Sequence, residues 1–132
     1  MFTFLLIGSL SKKIEIRKLV ENLGTVRPES GGRFVAYGPA GMQQGWIAVQ
    51  RLQDAERDFE PEELGKVSRF IRDPFFILVE GRDGNFKFSD EFILALEHPD
   101  TFAVDNDHGL IDSADKVQNM IRRGQRWLDV SS

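Results

Sequence analysis

The sequence predicts an α+β domain, and three observations carry that expectation. Two short and almost wholly apolar runs, FTFLLI at 2–7 and FFILV at 75–79, are rich in β-branched and aromatic residues and have the length of buried strands. Other segments repeat apolar residues three and four positions apart, the spacing of one helical face. Gly, Pro and Asp clusters punctuate the chain between these two kinds of segment, with no repeat, low-complexity tract or linker.

The first element is a strand, FTFLLIGSL at 2–10. SKKIEIRKLVENLG at 11–24 is expected to follow as an amphipathic helix, with Ile16, Leu19, Val20 and Leu23 on one face, Ser11 as N-cap and Gly24 as the stop. TVRPESGG at 25–32 has the composition of a loop. RFVAY at 33–37 and WIAVQRL at 46–52 are two strands, and GPAGMQQG between them is expected to be a long hairpin tip. A second helix is signalled by FEPEELGKVSRFIRDP, in which Pro61 suits the first turn, Glu62 and Glu63 favour the positive end of the dipole, and Leu64, Val67 and Ile71 share a face. Asp73-Pro74 ends it, because the residue before a proline is pushed out of helical conformation.

FFILVE at 75–80 is then a strand, RDGN a turn and FKF a short returning strand. SDEFILALEHP is expected as a helix capped by Ser89, TFAVD as a strand, and SADKVQNMIRRGQRWLDV as a final helix with Val117, Met120, Ile121 and Leu128 turned inward. Up to Glu80 the order is strand, helix, strand, strand, helix, strand. This is the βαββαβ order of ferredoxin-like domains, here with a C-terminal strand and helix added. At 132 residues the whole chain, 1–132, is expected to be one domain.

Composition narrows the function classes. The absence of cysteine excludes disulfide frameworks, thiol nucleophiles and cysteine-containing zinc sites. Eleven Phe beside one Tyr and two Trp point to a Phe-rich core. The apolar run at 2–7 has no basic residue before it and is too short for a signal core or a span, so a cytoplasmic location without membrane partners is the default expectation. A net charge of −4 argues against a protein that binds by neutralising phosphates. RFVAY and GWIAV also lack the basic-Gly-aromatic pattern of RNA-binding RRM strands, so Phe34, Tyr37 and Trp46 are read as packing residues and no nucleic-acid partner is expected.

No segment matches a reaction. In TFAVDNDHGLI, Asp105-x-Asp107 resembles the start of an EF-hand loop, but the sixth position is Leu110 instead of Gly and the twelfth is Lys116 instead of an acid. The same stretch resembles the strand-then-DxD start of haloacid-dehalogenase-type phosphatases, yet too little chain follows to supply the Rossmann-like domain such enzymes need. The simpler reading is a polar turn made by Asn106, Asp107 and Gly109, with Asp112 and Ser113 opening the last helix. GPAGMQQG lacks the Lys-Ser/Thr of a P-loop, and Met42, Gln43 and Gln44 within it are candidate contact residues of an adaptable tip. His98 suits a helix end, and His108 is a further candidate contact. No metal or other cofactor is expected.

Charge is segregated along the chain. From Asp54 to Glu63 there are six acids and one base, Arg57, and from Glu97 to Asp115 there are six acids and no Lys or Arg. Bases collect instead at Lys12, Lys13, Arg17 and Lys18 and at Lys116, Arg122, Arg123 and Arg126. Acids at helix N-termini explain part of this pattern but not the base-free stretch. The expectation is therefore a small acidic protein-binding module that takes a basic protein partner through Asp54, Glu56, Asp58, Asp105, Asp107 and Asp112. In size, acidity and lack of a catalytic constellation the chain resembles immunity proteins, which implies an inhibitor that neutralises a basic, nuclease-like toxin. The alternatives are a ligand-sensing or regulatory ferredoxin-like domain, self-associated as a homodimer through its sheet, and a small metal-dependent or acid/base enzyme using Asp105, Asp107 and His108.

Overall fold

A computed structural model describes residues 1–54 and 59–131. Among these residues the chain forms β1 (Phe2–Ser9), β2 (Thr25–Glu29), β3 (Arg33–Gly38), β4 (Gly41–Leu52), α1 (Pro61–Ser68), β5 (Pro74–Arg82), α2 (Phe88–Leu94), β6 (Ala103–Asp105), β7 (Ile111–Ser113) and α3 (Ala114–Arg122). The strands make one antiparallel sheet in the order β2-β3-β4-β5-β1-β6-β7. The expected α+β class is therefore present. No helix among the described residues is long and apolar enough to cross a membrane.

The central strands are apolar on both faces because both faces are covered at the middle of the sheet. Phe2, Phe4 and Leu6 of β1 and Phe75, Ile77 and Val79 of β5 point to one side, where Phe88, Phe92 and Ile93 of α2, Val117 of α3 and Trp127 complete the larger core. Ile7 and Phe76 point to the other side and meet Val67 and Ile71 near α1. Phe4 is fully buried, with ring centroids 6.0 Å from Phe2, 5.8 Å from Phe92 and 5.0 Å from Trp127.

The strand order is not that of a simple βαββαβ unit. In the expected ferredoxin-like arrangement β1 would sit between β4 and β5; here β4 pairs directly with β5, β1 lies beyond β5 with β6 on its other side, and β2 through β5 follow one another in sequence order across the sheet. The reason lies in two segments. TVRPE, expected as loop, is edge strand β2, paired with β3 across the turn Ser30–Gly32. Its Pro28 is tolerated because an edge strand does not need every N–H for the ladder.

The second departure is 11–24, which is not a helix but two 3₁₀ turns, Leu10–Lys12 and Ile16–Leu19, separated by Lys13 in left-handed conformation. Ile14 and Ile16 both pack on the larger core, along with Leu19, Val20 and Leu23. Residues two apart share a side only in extended chain, so a helix through this segment could not bury both isoleucines. The segment crosses the sheet from β1 to the far edge.

Smaller corrections follow the same logic. GPAGMQQG is not a long tip: β3 and β4 reach Gly38 and Gly41, leaving only Pro39 and Ala40 as the turn, and Met42, Gln43 and Gln44 belong to β4. FKF does not return as a strand; Phe86 packs beside Phe88, which opens α2. Ser89 lies inside the first turn of α2, where its N–H and hydroxyl both donate to Asp83, at 3.0 and 2.5 Å. The last helix stops at Arg122, and Gly124 at φ +71° releases the chain toward Trp127. Pro61 opens α1 as expected, and the Glu60 N–H donates to the Glu63 carboxylate at 3.2 Å.

Candidate functional site

The stretch from Asp105 to Ser113 is a hairpin at one edge of the sheet, with β6 and β7 joined through residues 106–110. Asn106 is its centre. It is fully buried and uses both ends of its amide: Oδ1 accepts from the N–H groups of His108 and Leu110, at 2.8 and 3.0 Å, and Nδ2 donates to the carbonyls of Trp127 and Val130, at 2.7 and 2.6 Å. The loop is thereby held closed and fastened to the C-terminal segment. The Asp105 carboxylate accepts the Asp107 N–H at 2.9 Å, and Asp107 and Gly109 take positive φ, 64° and 106°. The polar-turn reading of this stretch is the one the geometry fits.

Asp105 is 6% exposed. Burial pushes its carboxyl above the usual aspartate range; the Asp107 N–H pulls it down, Glu63 and Asp107 push it up further, and Lys66 opposes them. The influence of Glu63 and Lys66 reflects the docking of α1 on β7, where Val67 of the helix and Ile71 just beyond it share a core cluster with Ile111. The end of the first acidic segment thus stands beside the second. Asp112 accepts the Ser113 N–H at 2.8 Å and faces the Lys116 ammonium at 3.7 Å, while Ser113 caps α3.

The other expected contacts are dispersed. Asp54 is exposed at φ +54° just after β4. The register sets Leu52 level with Phe76, Ile7 and Ala103, so Asp54 and the 106–110 loop lie at opposite ends of the sheet. Glu56 and Asp58 lie outside the described residues. Met42 and Gln43 offer their carbonyls to the Arg82 guanidinium, at 3.3 and 3.2 Å, and β5 and β1 separate them from β6. Gln44 Oε1 is buried and finds no hydrogen-bond partner among the described residues.

His108 is exposed and lines, with Asp107, an open groove of about 780 Å³ that also takes in Asp83, Lys87 and Asp90. Asp83 is engaged by Ser89 and Asp90 by the Trp127 indole N–H at 2.8 Å. Among the described residues no group of three or more His, Asp or Glu is placed to hold a metal ion.

The sequence places Asn106 in a polar turn and Glu63 at the start of a helix, but shows neither the burial of Asn106 nor the approach of Glu63 to Asp105. An acid in the first turn of α1 was visible, but its approach to Asp105 depends on the docking of α1, and no sequence signal marks which polar residue of a turn faces inward. No protein-family model matches the chain, and comparisons with curated proteins and with solved structures find no match.

Proposed function

We propose that the protein is a binding module that holds a basic protein partner against an acidic rim formed by the first turn of α1 and the 105–113 hairpin. An inhibitor or immunity protein that neutralises a basic, nuclease-like toxin is one concrete instance. The observation that supports this reading most is the packing of α1 on β7, which brings Glu63 near the buried Asp105 at the base of a hairpin that carries Asp107 and Asp112 in contact with water. Among the described residues only Asp112 of the four water-contacting acids Glu62, Glu63, Asp107 and Asp112 has an ion-pair partner. Uncompensated carboxylates of one sign attract a cationic surface and accelerate its approach, and the attraction falls with ionic strength.

The test is affinity capture from the native cell's lysate at low and moderate salt. Wild type is compared with Glu62→Gln/Glu63→Gln and with Asp107→Asn/Asp112→Asn, each first shown to be folded. A single basic protein retained by wild type, lost at moderate salt and lost from either variant supports the module. Identical capture by all three forms, or none by any, removes it.

A further inference from the structure

A cleft of about 370 Å³ lies between the segment that crosses from β1 to β2 and the chain that leaves α2, against the larger core. Its floor is Leu19, Leu23, Leu96 and Phe102. Its rim carries both signs of charge: Lys12, Lys18 and Glu21 on the crossing segment, and Glu97 just beyond α2. Among the described residues none of these four makes an ion pair. A concave site of this size, with an apolar floor and a few charged groups, is the usual form of a small-molecule pocket.

Two further observations converge on it. Both walls turn at residues in left-handed conformation, Lys13 directly after Lys12 (φ 47°) and His98 directly after Glu97 (φ 53°). Lys13 has no short polar side chain to ease that conformation, and backbone of this kind collects where a fold maintains a site. The crossing wall is also the segment whose helical spacing is overruled, and conflicts between local pattern and final structure concentrate at functional positions.

We propose that this cleft binds a small amphipathic zwitterion with the size and chemistry of a large apolar α-amino acid. The side chain lies on Leu19, Leu23, Leu96 and Phe102, the carboxylate is met by Lys12 and Lys18, and the ammonium by Glu97 and Glu21. A simple organic acid or a simple amine satisfies one pair of rim charges and leaves the other uncompensated. The cleft is on the sheet face opposite α1, so this site is independent of the acidic rim.

Calorimetric titration and amide-resonance mapping of the full chain test it, with L-phenylalanine and L-leucine as probes. Hydrocinnamate and phenethylamine serve as single-charge analogues, and glycine as a zwitterion without an apolar body. The expected result is a Kd for L-phenylalanine or L-leucine at least about 10-fold below that of the three control compounds, with shifts centred on Leu23 and Leu96. Lys18→Ala should weaken L-phenylalanine several-fold and leave phenethylamine unchanged, and Leu23→Trp, which fills the cleft, should abolish binding. Should Leu23→Trp fail to fold, Lys18→Ala and Glu97→Gln, both at exposed positions, carry the test alone. No binding of either amino acid at about 10 mM, equal affinity for a single-charge analogue, or shifts confined to another surface overturns the proposal.

Discussion

Asn106 donates its side-chain amide to the carbonyl of Trp127 at 2.7 Å, so the hairpin at one sheet edge and the segment after α3 are secured by a single buried residue. Asn106→Asp removes both Nδ2 donations, strands the Trp127 and Val130 carbonyls and puts a carboxylate in a fully buried position. A loss of about 3 kcal/mol is expected, the scale for orphaned buried polar groups joined to a buried charge. Urea unfolding of the variant reads it directly; a loss within experimental scatter would mean that the two segments are not held together by this residue.

Phe4 is the aromatic hub of the larger core, in contact with rings from β1, α2 and the C-terminal segment. Phe4→Ala is expected to cost about 3–5 kcal/mol, and Phe4→Leu, which keeps most of the volume, clearly less. Equal destabilisation by the two would show that ring geometry, not filled volume, dominates.

Gly81 sits between Trp46 of β4 and Phe2 of β1, and a Cβ built there would be 2.2 Å from the Trp46 carbonyl oxygen and 2.7 Å from the Phe2 ring. The oxygen belongs to backbone and cannot step aside without disturbing the ladder. Gly81→Ala should therefore destabilise by about 1–3 kcal/mol, the overpacking range, as judged by a fall in the denaturation midpoint at unchanged m-value.

Asp105 gives stability a defined pH dependence. Its carboxyl titrates higher in the folded chain than in the unfolded one, so between those two values the folded state holds more protons and stability falls as pH rises. The decline begins near the ordinary aspartate value of about 3.9 and ends above the raised folded value. Asp105→Asn keeps an oxygen to accept the Asp107 N–H but cannot ionise, so its stability relative to wild type should grow across that window. Parallel pH profiles for the two proteins would refute the assignment.

Arg33 ion-pairs with both Glu29 and Glu80 and lies 5.9 Å from the Trp46 ring, reaching over β4 on the α1 side of the sheet. All three charged side chains keep contact with water, so Arg33→Ala should cost only about 1 kcal/mol, shrinking with added salt. Arg33→Lys should not restore it, because an ammonium cannot face two carboxylates and a ring with one planar group.

The legible parts of the fold are those whose signal is local. β1, β4 and β5 announce themselves by apolar runs, α1 by Pro61 with its acids, and α3 by Ser113 at its start, although its end at Arg122 falls well before the one the sequence predicts. The strand order is not local. Pro28 disguises β2 as loop, and the helical spacing of Ile16, Leu19, Val20 and Leu23 conceals that Ile14 must be buried as well. At the hairpin the sequence showed a polar turn and its acids. Which residue turned inward, Asn106, and which acid approached from elsewhere, Glu63, are set by tertiary docking.

The two borders of the sheet bear on how any partner can attach. β7 spans three residues, and β2 is interrupted by Pro28, which has no N–H to offer. Neither border is a good template for another chain to continue the ladder, which restrains both fibril-like stacking and recognition by an added strand. Whatever docks on this molecule must read its side chains, and selectivity then rests on charge and shape at particular positions instead of on the peptide backbone that every protein shares.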